Sequence, residues 1–158
     1  MTYRDLDRRL IDVLREDARL SVRSLARRLS VSPSTIGKRL DSLLEREIIT
    51  GFVPTLDYKK LGFGLVAITK IKARGDALDS IVKALATDRH LSHVYEITGE
   101  FDVLVIGRFR DESEMNREIK RLLGLPGIEG TNTSIVLSTA KEGGDIELSP
   151  PELAEGAS

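Results

Sequence analysis

An α+β fold in two parts follows from three features of the sequence. Leu20 to Gly51 reads as two short amphipathic helices joined only by Ser30-Val31-Ser32, a connection that forces them to pack at a steep angle, as in a helix-turn-helix. Residues 64–139 switch between strand and helix periodicity in the order β-α-β-β-α-β, which is a ferredoxin-like split βαβ. Between the two, the helical period breaks after Glu47, and the segment carries Pro54 and the run DYKKLG. The predicted organisation is a winged helix-turn-helix over residues 1–50, a wing and hinge over 51–62, a ferredoxin-like domain over 63–141 and a flexible tail over 142–158.

The first helix is expected over residues 3–16, with Leu6, Leu10, Val13 and Leu14 on one side and Thr2 with Asp5 as a capping box. The second carries Val22, Leu25, Ala26 and Leu29 on its apolar stripe. The third begins with Ser32 as N-cap, because a hydroxyl there accepts from an orphan amide of the first turn. Pro33 follows where a missing N–H removes nothing. Its apolar stripe is read as Ile36, Leu40, Leu43 and Leu44. Ile48, Ile49, Phe52, Val53 and Leu56 then read as a short extended wing, with Pro54 confining its second arm to an edge or linker.

In the second half, Gly64 to Ala73 is predicted as a strand, followed by a helix from Asp76 with Leu78, Ile81, Val82 and Leu85 inward. Strands over 93–98 and 101–109 flank Gly99. Asp111 opens the next helix, with Glu114 three residues on, and Gly124 and Pro126 end it. Thr131 to Thr139 is the last strand. This topology puts strands 64–73 and 101–109 at the sheet centre, and both are apolar on two sides. Two helices cover only one face, so a second copy of the chain is expected on the other, giving a C2 dimer.

Charge separates the halves. Residues 1–60 hold 13 Lys and Arg against 9 Asp and Glu, while residues 61–158 hold 11 against 16. A basic head on an acidic body points to an anionic partner for the first. The charged run after Met1 lacks the apolar core of a signal peptide, and no stretch reaches the ~20 apolar residues of a membrane span. With no cysteine, disulfides and thiolate chemistry are excluded. A cytoplasmic protein is expected. Gln is absent and Met occurs twice, a scarcity of thermolabile residues that points to a thermophilic source.

The outward face of the third helix gives the functional reading. It presents Ser34, Lys38, Asp41, Ser42 and Glu45, with Thr35 and Arg39 on its flank. Small hydroxyls permit close approach, and Lys and Arg reach base edges or phosphates in a major groove. The candidate contacts to double-stranded DNA are Ser32, Ser34, Thr35, Lys38, Arg39, Ser42 and Arg46. Gly37 is unusual in a helix interior, where it costs about 1 kcal/mol against Ala. Close approach of its backbone, to DNA or to the neighbouring helix, would account for it.

Other signals carry no chemistry. Gly62-Phe-Gly64-Leu-Val-Ala67 follows a hinge and precedes a strand, the wrong setting for a dinucleotide site. His90 and His93, with Asp88 and Glu96 the nearest carboxylates, read as surface histidines. No serine sits in a nucleophile elbow. No catalytic residue, metal or cofactor is expected. The alternatives left open are an architectural DNA-binding protein without an effector and an enzyme built on the ferredoxin-like half.

Specific residues also resemble the leucine-responsive regulator/asparagine regulator (Lrp/AsnC) family of transcription factors. They are Leu6-Asp7, Arg19, Ser21, Leu25-Ala26, Leu29, Ser32, Ser34-Thr35, Arg39-Leu40, Leu43, Ile48, Gly51, Leu56-Asp57 and Gly62, then Thr98-Gly99, Asp102, Pro126-Gly127, Thr131, Thr133, Ile135-Val136 and Lys141. The resemblance covers about residues 3–142. It implies a C-terminal ligand-sensing domain of the RAM type, dimers that assemble further, commonly to octamers, and a small-molecule effector, usually an amino acid. Carried over, the effector residues are Thr98, Gly99, Asp102, Thr131 and Thr133. Some relatives place a carboxylate on the last helix to meet the ligand's ammonium; here that helix reads Arg117-Glu118-Ile119-Lys120-Arg121, which leaves Glu118 as the available group.

Overall fold

Two left-handed residues punctuate the N-terminal helices. Ser30 (φ 57°) closes the second helix and Glu47 (φ 54°) follows the third, each at a position where a helix commonly ends in the left-handed region. In the computed structural model, which describes residues 3–143 and Leu148, the three helices are α1 (Tyr3–Glu16), α2 (Val22–Leu29) and α3 (Pro33–Glu45). Thr2, half of the expected capping box, lies outside the described residues. Asp5 pairs with Arg8 at 3.1 Å.

Leu10, Leu25, Leu29, Ile36 and Leu43 form the core of this unit, with Leu6, Val31, Leu40 and Ile49 packed against it. Each fully buried Leu or Ile contributes about 1.5–3 kcal/mol. The stripe of α3 differs from the expected one by a single position. Ile36, Arg39 and Leu43 are buried with Leu40 half-buried, whereas Leu44 is 38% exposed.

The expected wing is corrected. Residues 51–57 join no strand among the described residues, and Val53 is 88% exposed. Its first arm is used elsewhere: the N–H groups of Ile48 and Ile49 donate to the Leu43 carbonyl at 2.9 and 3.1 Å, closing the end of α3.

The described chain divides into two compact units, one running to Thr55 and one spanning Leu56–Glu142. The second contains β1 (Leu65–Ala73), a single 3-10 turn (Gly75–Ala77) leading into α4 (Leu78–Ala86), β2 (Leu91–Glu96), β3 (Val103–Phe109), α5 (Glu112–Leu123) and β4 (Ile128–Ile135). The sheet order is β2-β3-β1-β4, with every neighbouring pair antiparallel. The ferredoxin-like topology is as expected, with β1 and β3 central. β2 and β4 begin two to three residues earlier than the periodicity placed them. The expected tail lies largely outside the described residues.

One face of the central strands is closed off by α4 and α5. Ala67, Thr69, Ile71, Val103, Val105 and Phe109 are buried there. On the opposite face Val66, Ile68, Leu104 and Ile106 are only half-buried. The two-sided apolar pattern is therefore present, with one side covered by the chain's own helices.

Candidate nucleic-acid interface and effector site

The start of α3 is built by hydroxyls. Ser32 accepts from the Thr35 N–H at 3.1 Å, and its Oγ lies 2.7 Å from Thr35 Oγ1 and 3.2 Å from Ser34 Oγ. Ser32 and Thr35 thus hold the first turn as well as lining it. Beyond the cap, Ser34, Gly37, Lys38 and Asp41 fall at i, i+3, i+4 and i+7, one face of the helix. Ser34, Lys38 and Asp41 are exposed and Gly37 is half-buried. Lys38 makes no ion pair among the described residues. A Cβ built on Gly37 meets nothing within 4 Å. The approach of a neighbouring helix therefore does not account for this glycine.

Arg39 requires a correction. It was expected on the flank facing DNA, but its side chain is 6% exposed, with Nη1 3.5 Å from Asp7 Oδ1 of α1. The reason is its place at i+3 of the buried stripe, where only a partnered cation is tolerated. Burial pushes the Asp7 carboxyl up, and the charge of Arg46 draws it partly back. Arg46 lies seven residues after Arg39, on the same side of the axis, and follows the helix as its C-cap. It stands about 20 Å from the N-terminal end of α3, given 1.5 Å per residue. Ser42 is half-buried. Arg23 and Arg27 on α2, which the sequence reading passed over, are exposed and form no ion pair among the described residues. Their position opposite Leu25, Ala26 and Leu29 is the signal that could have singled them out.

The residues expected at the effector site fall in two groups on either side of β1. Gly99 (φ +114°) turns the β2–β3 connection and is exposed with Thr98. Asp102 binds that connection to β1: its Oδ2 accepts from Ala73 N–H at 2.8 Å and lies 3.5 Å from Lys72 Nζ. Its own N–H donates to the Ile71 carbonyl at 3.0 Å. The Ala73 N–H, and next the Lys72 charge, hold the Asp102 carboxyl below the usual range. On the other side of β1, Thr131 stands opposite Ile71 and Thr133 opposite Thr69, with the Thr69 and Thr133 hydroxyls 2.9 Å apart. Thr98, Gly99, Asp102 and Thr131 lie toward the Ala73 end of β1 and Thr133 at its middle, with β1 between the two groups.

Glu118 also requires correction. Its side chain is 7% exposed, and both oxygens accept from Arg121 Nε at 3.0 and 2.9 Å. It lies on the buried side of α5, where Arg121 already supplies its positive partner. Arg121 also reaches Asp88. His90 completes this group, with Nδ1 3.4 Å from Asp88 and 3.9 Å from Glu118, and Nε2 3.7 Å from Glu114. It is more than the isolated surface histidine expected.

A helix-turn-helix carrying an exposed cationic face, attached to a ferredoxin-like domain of ligand-binding type, defines a two-domain transcriptional regulator. Residues 3–50 match the winged helix-turn-helix DNA-binding model, and residues 66–146 match the Lrp/AsnC ligand binding domain. The chain belongs to the Lrp/AsnC family. It is 43% identical over 150 residues to an HTH-type transcriptional regulator of Pyrococcus furiosus, covering 95% of this chain and all of that one. It is 29% identical over 144 residues to the regulator FL11 of Pyrococcus horikoshii, covering 91% and 95%. Among solved structures, E. coli AsnC superposes with a TM-score of 0.84 at 24% identity over 89% of this chain and 96% of that one. A Neisseria meningitidis regulator solved as its L-Met complex gives 0.85 at 25% identity over 90% and 95%. The relatives are named as transcriptional regulators, and this protein is a regulator rather than an enzyme. No described helix is long and apolar enough to cross a membrane.

Proposed function

We propose that this regulator reads DNA with the Ser34–Gly37–Lys38 face of α3 laid into the major groove, and that an amino acid bound by the second unit tunes its affinity or assembly. The single observation that carries the DNA reading is Lys38, exposed beside Ser34 and Gly37 on the half of the helix that Ser32 caps. Ser32, Thr35 and Ser42 border that face, and Arg23 and Arg27 add phosphate contacts from α2. Residues 51–62 serve as the hinge. The half-buried apolar sheet face pairs with a second copy, and the C2 dimer presents two heads to half-sites about 10 bp apart. Such a protein works in the cytoplasm, where its DNA is.

The test is fluorescence anisotropy with a DNA fragment from the protein's own promoter, across a salt series. Lys38→Ala should weaken binding and lower the slope of log K against log salt by about one. An unchanged affinity and slope would remove α3 from the interface. For the effector, calorimetry against the twenty amino acids should give binding that Thr131→Val or Thr133→Val weakens. A second reading, a regulator with no amino-acid effector, draws on Asp102 and Glu118, whose carboxylates already have partners within the chain. Silence across all twenty would favour it.

A further inference from the structure

Asp88, His90 and Glu118 belong to neither site, and each offers one ligand atom within 4.8 Å of the others. We propose that these three residues bind a divalent transition-metal cation, of the class of Mn2+, Ni2+ or Zn2+, in place of the guanidinium of Arg121.

The donor set is one imidazole nitrogen and two carboxylate oxygens, which suits borderline divalent ions. Two ligands about 2.1 Å from a shared ion stand roughly 3.0–3.5 Å apart. The His90 Nδ1 distances of 3.4 Å to Asp88 and 3.9 Å to Glu118 need a closure of a few tenths of an ångström, and the Asp88–Glu118 pair, within 4.8 Å, closes by up to about 1.5 Å as the guanidinium leaves. The pocket is also prepared for positive charge. The side chains of Asp88 and Glu118 are 8% and 7% exposed, and buried carboxylates require a counter-charge.

Arg121 supplies that counter-charge from a side chain that is 46% exposed. Its guanidinium can leave for solvent by rotating its own stem, with no backbone movement. His90 is held for the exchange. Its ring stacks on Phe109, with centroids 6.1 Å apart and planes inclined by 15°. Glu114, 3.7 Å from Nε2, stands where it can take the proton of that nitrogen once Nδ1 is given to the ion. Asp88 is fixed by the backbone N–H of His90, which donates to its Oδ1 at 2.8 Å. The ion would join the α4–β2 connection to α5.

The experiment titrates the chelator-treated full-length protein with MnCl2, NiCl2 or ZnCl2 in a calorimeter, with MgCl2 as the hard-cation control. The expected result is one site per chain for at least one of the three and none for Mg2+. His90→Ala should weaken that site at least about tenfold, while His93→Ala, removing the other histidine, leaves it unchanged. Arg121→Ala removes the competing cation and should tighten binding about tenfold. If Arg121→Ala is too unstable to titrate, thermal unfolding of the wild type replaces it. The ion should then raise the midpoint of wild type and His93→Ala but not of His90→Ala. Equal binding by the two histidine variants, a folded Arg121→Ala that binds no more tightly, or no stoichiometric binding by the wild type would each overturn the assignment.

Discussion

Replacing Gly37 with Ala should move stability and DNA affinity in opposite directions. The added methyl meets no atom of the protein within 4 Å, and the residue lies inside α3. The free protein should therefore gain helix propensity without a clash, about 1 kcal/mol. For a unit of this size that raises the unfolding midpoint by roughly 4–8 °C. In the proposed docking on DNA the same methyl stands at the centre of the Ser34–Gly37–Lys38–Asp41 face. A methylene forced into a packed contact costs about 1–3 kcal/mol, which is roughly a fivefold to hundredfold loss of affinity. Thermal unfolding and fluorescence anisotropy at one fixed salt concentration measure the two effects on the same preparation. A variant that is more stable and binds as tightly as wild type would refute the close approach of this face. A variant that is less stable would refute the open surroundings of Gly37 from which the argument starts.

Arg39→Ala should destabilise the N-terminal unit by up to about 3 kcal/mol, because it leaves Asp7 beside a vacated buried site. Arg39→Met should recover much of that loss and keep the wild-type salt slope on DNA, unlike Lys38→Ala; urea unfolding and anisotropy check the pair. Asp102 has a folded pKa below its ordinary 3.8, so its stabilisation is complete above about that pH and is lost as pH falls through the depressed value. Urea midpoints between pH 5 and 2 should fall more steeply for wild type than for Asp102→Asn, and parallel acid limbs would dissociate the carboxylate from folding. Glu47→Gly should raise stability by about 1 kcal/mol, since a non-glycine residue at φ 54° carries that strain.

Periodicity and capping chemistry made the element order legible, because each helix and strand buries its own stripe. Pairings across the chain were not legible in that way. Arg39 sits in the buried stripe only because Asp7, thirty-two residues earlier on α1, comes back to meet it. A helical wheel drawn from apolar residues therefore substituted Leu44, which is exposed. The wing failed for a related reason: Ile48 and Ile49 have the composition of a strand, but their amides are taken by Leu43. The effector residues came from family resemblance alone, since Thr131 and Thr133 stand beyond β1 from Asp102 and no spacing predicts that. His90 read as a surface histidine because its partner Glu118 lies on α5, twenty-eight residues away from the turn that carries the imidazole.

These pairings also bear on what the basic bias of the N-terminal half means. Cations counted in a sequence are not all available to a polyanion. On α1, Arg8 faces Asp5 and Asp12 at 3.1 and 3.9 Å, and Arg9 and Arg15 have interactions of their own. Arg28 pairs with Glu16, and Arg39 with Asp7. Acidic residues of α1 thus pair with its own Arg8 and with two arginines from the helix-turn-helix. Arg23, Arg27 and Lys38 remain exposed on α2 and α3. A modest net charge is thereby concentrated on one pair of helices, where it can steer a duplex toward the capped end of α3. If α3 docks as proposed, salt dependence of binding should follow these three residues rather than the total count, so Lys38→Ala should lower the slope and Arg39→Met should leave it unchanged.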